Sequence, residues 1–586
     1  MPPKKTTSSK SKAPKIDPNS SFTPESFEKE LQALAAKAKD ETWGKFLSEQ
    51  VSIYLRSAVL LGLAAAFSNV SELSLSPVYG SIPSARWHSK LVMAGLFAGW
   101  SSNLHLGRLL PIKLKHLLPL IALYVPTAQY CLFRLSGILT AEWGPLVTEA
   151  LTLFPLLVVS IACTATYLEG ADFSRLPRWL GDSLPGLGSY GFFKLAEAVS
   201  GSVIQQFVGR SFFQTRMGME VTLGASYALL APSKLLLWTI PALLHTALLN
   251  THVMSPIGVR LLNSTLDSQG WVLLDRRESL TGYISVVDSK EQGFRVMRCD
   301  HSLLGGEWTK IKGGIVAEPI YSVFVQLEAV RLVETVQQLP DSEARALVIG
   351  MGIGTAPAAL IAHGVDTTVV EIDPVVHEFA SKYFRLPSNH TAVIEDAVSY
   401  AERLASSETP QYDYIIHDVF TGGAEPIALF TLEFLQNLGA LLKPDGVIAI
   451  NYAGDFTLPP PKIVVQTIRQ VFPSCRIFRE HPRNEEEVER DGRDFTNMVI
   501  FCTKSSRELT FREPTDADML GSRTRKMFLK PEYEVFDSDF TASGVDETAV
   551  VKKDQTEELA KYHERSALGH WAIMRVVLPK LVWENW

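Results

Sequence analysis

Apolar and polar positions along the 586-residue chain fall into two regimes. Long apolar runs recur at about 51–67, 89–106, 115–135, 144–167, 188–209 and 221–250, with charges confined mainly to short gaps. Most approach the roughly 20 residues a helix needs to cross a hydrocarbon core, so residues 49–252 predict a multi-pass α-helical membrane domain of about six spans. The run GPLVTEALTLFPLLVVSIACTATYL is the plainest. Lys194 and Glu197 interrupt the fifth run three residues apart, where they can neutralise each other along one helix face. Pro232 and Lys234 break the sixth.

After Arg260 the pattern shortens. WVLLDRRES, GYISVVDS and FRVMRCDHS are β-like runs between turn-prone residues, and they predict a small antiparallel unit over 260–314, closed by GGEW. GIVAEPIYSVFVQLEAVRLVETVQQL has apolar residues at helical spacing and predicts a long amphipathic helix. From Arg345 strands and helices alternate: ALVIG, TTVVEID, TAVIED, YDYIIHDVF, GVIAINY, CRIFRE and FTNMVIFCT are the strands. That rhythm predicts a doubly wound α/β domain over 315–505, with a mostly parallel sheet and right-handed crossovers. A C-terminal extension, 506–586, carries the helical-looking EELAKYHERSALGHWAIMRVVL.

Charge and composition narrow the picture. The formal net charge of -7 gives no basic field for nucleic acid, and no nucleic-acid partner is expected. Residues 1–48 form a basic arm and lead-in. The opening MPPKKTTSSKSKAPK, lysine-rich and without an acid, reads as disordered. Arg108, Lys113 and Lys115 crowd the second gap between apolar runs, and Arg175 and Arg178 the fourth. By the positive-inside rule both gaps are cytoplasmic, and an even span count puts the catalytic half there too. The five cysteines have no ligand-like spacing, so neither a metal site nor a disulfide framework is expected.

Ligands of doubly wound sheets bind beyond the carboxyl ends of the strands, so the residues there carry the chemistry. Strand one ends in Gly350-Met351-Gly352-Ile353-Gly354-Thr355, a loop that lets backbone approach a ligand before a helix begins. Strand two ends in Glu371-Ile372-Asp373, and an acid there can accept both hydrogen bonds of a ribose diol. Strand three ends in Glu395-Asp396-Ala397 and strand four in His417-Asp418-Val419-Phe420. Helix N-capping is the competing role for each acid, Asp396 above all. It does not account for the set. His417 alternates away from Asp418 and is expected in the core.

The ordered run VIGMGIGTAPAAL, VVEIDPVV, EDA, YDYIIHDVF and LLKPDGVIAIN resembles the spermidine synthase family and the wider class I methyltransferases, over about residues 270–503. The resemblance implies a Rossmann-like seven-stranded fold with a small N-terminal β-unit, in the divergent branch fused to membrane helices. It implies that Gly350, Gly352, Gly354, Glu371, Asp396 and Ala397 bind the cofactor, with Glu371 on the ribose and Asp396 on the adenine amino group. It further implies that Asp418 serves the incoming amine, and that Tyr321 with Glu318 lies on the substrate side. The implied cofactor is decarboxylated S-adenosylmethionine or S-adenosylmethionine, without a metal. Four positions depart from the family: Ile353 and Thr421 stand where it has aspartates, and Ser322-Val323 where it has His-Glu. Aminopropyl transfer to an amine, of the polyamine-biosynthesis type, is the leading expectation. Methyl transfer to a protein, lipid or small amine is the alternative, and a non-catalytic nucleotide-binding scaffold the third reading. A small-molecule amine and the membrane are the expected partners, with a homodimer allowed.

Overall fold

The computed structural model describes residues 24–109, 112–174, 176–311, 314–406, 410–419 and 422–586. The basic arm, Arg175, Phe420 and Thr421 lie outside these. The first helix, Pro24–Tyr79, begins well inside the segment read as a lead-in. It packs with Ser81–Leu109, Leu118–Phe133, Ser136–Leu151, Leu153–Leu168, Arg178–Phe207 and Arg216–Leu230 into a helical domain.

This domain differs from the expected six spans. Among the described residues three helical stretches are long and apolar enough to cross a membrane: Trp43–Tyr79, Leu114–Phe133 and Ser136–Leu168. The second run falls short: its helix carries Lys90 at one end of the run and the polar Ser101, Ser102, Asn103 and His105 at the other. The sixth is broken near Pro232 into Arg216–Leu230, a 3-10 turn Lys234–Thr239 and Ile240–Leu248. Polar groups lie inside the bundle: His88 Nδ1 meets the buried Glu149 at 2.6 Å, and its Nε2 meets Ser68 Oγ at 2.9 Å. Lys194 and Glu197 pair as their spacing predicts, and Glu197 also accepts from Ser68. Large apolar side chains point outward, Phe97, Ile138 and Leu229 being more than three-quarters exposed.

The small β-unit is a four-stranded antiparallel sheet of β1 (Trp271–Ser279), β2 (Gly282–Ser289), β3 (Phe294–Cys299) and β4 (Ser302–Trp308), in that order. GGEW is the end of β4, the last strand of the unit. The main sheet comprises β5 (Arg345–Ile349), β6 (Asp366–Glu371), β7 (Thr391–Ile394), β8 (Tyr412–His417), β9 (Leu442–Asp455), β10 (Ser474–Arg479), β11 (Phe495–Thr503) and β12 (Tyr533–Val535). Its order is β12-β10-β11-β9-β8-β5-β6-β7. Strands β5 to β9 pair in parallel, and β11, β10 and β12 add antiparallel pairs. Strand order reverses between β5 and β8. The crevice at that switch point is where such sheets bind ligands.

Two expectations fail here. The segment read as one long amphipathic helix is a short helix, Ser322–Gln326, a 3-10 stretch, Leu327–Leu332, and then extended chain. Val323, Val325, Leu327, Ala329, Val330 and Leu332 are all buried, so apolar residues surround the segment rather than forming one stripe. The absence of disulfides is also corrected: Cys475 and Cys502 face each other across β10 and β11 and are joined. Their 27-residue separation concealed a strand register.

The C-terminal extension is built into both halves. Trp571 on the helix Glu557–Val577 donates to Val78 O at the end of the first helix. Arg298 of β3 donates to Pro77 O on one side and to Val582 O on the other. Arg525 meets the carboxylate of Glu328 through two 2.8 Å hydrogen bonds, both side chains being buried. Truncating Arg525 to alanine leaves that carboxylate unpaired in the core. The expected destabilisation is about 3–5 kcal/mol, read as a fall in the thermal unfolding temperature.

Candidate active site

The glycine loop follows β5 directly, and Gly350, Gly352 and Gly354 all have left-handed φ, at 72°, 51° and 84°. A Cβ on Gly350 would lie 2.2 Å from Asp418 O, and one on Gly352 2.2 Å from Leu304 O of β4. Side chains are therefore excluded by both conformation and space. The same contacts press the loop under the end of β8 and against the small sheet. Ile353 is buried and packs on Gly305 of β4.

Glu371 ends β6, is 7% exposed, and accepts from Asp373 N at 3.0 Å. Burial pushes its carboxyl up to about 7, partly offset by backbone N–H donors that include Met351 of the glycine loop. Beside it Ile372 is 43% exposed, an open apolar surface at the mouth of the crevice. Asp396 is exposed and caps the helix Ala397–Ala405, accepting from Ser399 N and Oγ. Its capping role is therefore realised, and Ala397 is the buried first residue of that helix. Thr355, first residue of the helix behind the glycine loop, has a buried hydroxyl with no partner.

Asp418 follows β8 and lines a cavity of about 270 Å³ with Gly352, Tyr321, Asn451, Glu480 and His570. Asn451 Nδ2 donates to its Oδ1 at 2.8 Å. Burial pushes the Asp418 carboxyl up to about 6, and the Asn451 bond works the other way. Asn451 Oδ1 is buried with no partner. Burial, aided by the Glu480 carboxylate, pushes the Tyr321 phenol up to about 12. Burial pulls His570 down to about 4, so it faces the cavity as a neutral ring. His417 is in the core, its Nε2 on Leu429 O at 2.9 Å.

The structure thus brings Gly352, Asp418 and Tyr321 to one cavity and places Glu371 at the neighbouring strand end. Glu318 does not join them. Its Oε1 accepts from Thr524 N and Oγ1 at 2.7 and 2.8 Å, so it anchors the C-terminal extension, correcting its assignment to the substrate side. Sequence reasoning missed Asn451, Glu480 and His570. Glu480 was within reach of the rule applied to the first four strands, since CRIFRE also ends in an acid.

A sheet with a parallel half, a glycine loop and acids at its switch point is a doubly wound α/β fold of the nucleotide-binding kind. The spermine/spermidine synthase domain family matches residues 331–480. An N-terminal histidine N-methyltransferase of Emericella nidulans is 46% identical over 546 residues, covering 90% of this chain and 97% of that protein. The chain belongs to that N-terminal histidine N-methyltransferase family. A polyamine aminopropyltransferase of Vibrio vulnificus is 38% identical over 111 residues, 18% of this chain and 37% of its own. A Drosophila melanogaster eEF1A lysine and N-terminal methyltransferase homolog is 26% identical over 196 residues, 31% of this chain and 27% of its own.

Proposed function

We propose that this chain is an S-adenosylmethionine-dependent N-methyltransferase that modifies a nitrogen of an N-terminal histidine. The observation that carries this over aminopropyl transfer is Ile353. An aminopropyl donor presents a bare ammonium that calls for an acid in the glycine loop, and the residue there is apolar and buried. The leading expectation of aminopropyl transfer from a decarboxylated donor is replaced accordingly. The relative covering nearly the whole chain supports the same choice.

The residues present fit an S-adenosyl nucleotide. Glu371 has acceptor capacity for a ribose diol, Ile372 offers an apolar surface to a base, and the unpartnered Thr355 hydroxyl stands at the helix behind the glycine loop. Bound S-adenosylmethionine supplies an electrophilic methyl group, and the nitrogen that takes it must present a lone pair. Asp418 accepts the proton this nitrogen gives up, and its carboxyl near 6 is ionised at neutral pH. Asn451 fixes one Asp418 oxygen and leaves its own carbonyl for a second N–H of the acceptor. The test is incubation of detergent-solubilised protein with either donor and a peptide beginning with histidine, read by mass spectrometry. Methylated peptide is expected, and an aminopropyl product from the decarboxylated donor would sink the reading.

The outward apolar faces of the helical domain and its inward polar groups support membrane anchoring. The Cys475–Cys502 disulfide favours an oxidising compartment for the transferase half over the cytoplasmic side expected from the basic residues. The exposed Asn389, in the sequon Asn389-His390-Thr391, is then expected to carry glycan. Asn263 is held by hydrogen bonds to Leu273 N and O and is expected bare. Glycopeptide mapping of the secretory-membrane protein decides; an unmodified Asn389 with free Cys475 and Cys502 thiols restores the cytoplasmic orientation.

A further inference from the structure

Two carboxylates face the acceptor cavity, and the mechanism above uses only Asp418. The other, Glu480, lies just past β10 and is 9% exposed. Its Oε1 accepts from Ser322 Oγ at 2.6 Å and Val323 N at 3.3 Å, and its Oε2 from Asn497 Nδ2 at 2.8 Å. Three neutral donors hold the group in place and leave part of its acceptor capacity open, since a carboxylate offers about four sites. Neither basic side chain adjacent to it in the chain gives it a hydrogen bond. Arg479 pairs with Asp494 at 2.6 Å, and His481, 4.0 Å away, is mostly exposed. Buried carboxylates are ordinarily paired with a cation, and this one lines a cavity instead. Ser322 and Val323 are the two positions where the chain departs from the His-Glu of the resembling family. They are used here to seat a carboxylate contributed from another strand.

Resting on the acceptor reading above, we infer that Glu480 is a specificity-determining residue that binds the second basic nitrogen of the acceptor, the one not methylated. An N-terminal histidine carries two basic nitrogen groups, its α-amine and its imidazole, within one residue's reach. The reacting one must be neutral and gives its proton to Asp418. The other enters as a cation and takes a charge-assisted hydrogen bond from its N–H to Glu480, with the Tyr321 and Phe324 rings forming the adjoining wall. Chains with a single basic nitrogen at their start satisfy only one carboxylate and are discriminated against.

The experiment measures affinity in the absence of methyl donor, with full-length protein and three peptides. One begins with histidine, one with alanine and one with an imidazolepropionyl group in place of histidine. Wild type is expected to bind the histidine peptide about 10–100-fold more tightly than either single-nitrogen peptide, the range for one charged hydrogen bond. Glu480→Gln is expected to weaken the histidine peptide by a similar factor. It should leave whichever single-nitrogen peptide presents the reacting group unchanged, so the two losses do not add. Retained S-adenosylhomocysteine binding by E480Q shows that the fold persists, and E480D, which keeps the charge, is expected to recover part of the preference. Wild type that methylates the histidine peptide yet binds all three peptides alike, or an E480Q that weakens all three equally, overturns the Glu480 assignment alone. Absence of methylation of the histidine peptide by wild type overturns the acceptor reading, and this assignment with it.

Discussion

Replacing Asp418 by asparagine is expected to lower turnover by about 10²–10⁴-fold, the contribution of a positioned general base. Asparagine keeps the shape and can still accept from Asn451 Nδ2, so only the capacity to take a proton is lost. The wild-type rate, measured with saturating donor and acceptor, is expected to rise through an acid limb near pH 6 as Asp418 ionises. In the asparagine variant the limb should vanish. Stability should move the opposite way. A carboxyl whose folded pKa lies above its ordinary value binds more protons folded than unfolded, so its stabilising contribution is present at low pH and lost as pH rises through about 6. At pH 8 the buried charge disfavours folding, and asparagine removes it. The variant should therefore melt higher than wild type at pH 8 while being nearly inactive. A variant with near wild-type turnover would remove Asp418 from the chemistry.

The sequence made the glycine loop and the strand-end acid Glu371 legible and the cavity beside Asp418 much less so. Gly350 to Gly354 and Glu371 stand at the ends of successive strands, and a single strand-helix rhythm locates them all. That cavity is assembled from chain segments with no common rhythm. Asn451 sits inside an apolar strand, Glu480 follows an antiparallel edge pair, and His570 comes from a helix some ninety residues further on. Nothing local marks those positions. Glu318 and Asp396 are acids in suggestive places whose side-chain partners within the chain are Thr524 and Ser399. In the helical half, hydropathy located the apolar runs but not which faces turn inward. The bundle's polar interior arises from Ser68, His88, Glu149 and Glu197, drawn from four different helices. The 3-10 stretch Leu327–Leu332 failed for a related reason: a segment buried on all sides has no amphipathic period to reveal its conformation.

The second large effect is expected at Glu371. If its carboxylate accepts both hydroxyls of a ribose, alanine removes two hydrogen bonds to a charged group, each contributing about 1.5–3 kcal/mol. The dissociation constant for S-adenosylhomocysteine should then rise by roughly 10²–10⁴-fold, measurable by calorimetry without any turnover. The fold should survive, because Glu371 lies at a strand end and its protein partners are backbone N–H groups that the opened crevice exposes to water. Protonation supplies an independent signature. Burial holds the free carboxyl near 7, and a ligand that donates two hydrogen bonds favours the ionised form. Binding below pH 7 must therefore expel a proton, and affinity is expected to strengthen as pH rises from 6 to 8, by at most tenfold per unit. Glu371→Gln, which keeps one carbonyl acceptor and cannot titrate, should bind with intermediate affinity and lose that slope. Calorimetry in buffers of different ionisation enthalpy counts the released proton directly. A wild type that binds with no proton release at pH 6.5, or a Glu371→Ala variant that binds within a few-fold of wild type, would place the ribose elsewhere in the crevice.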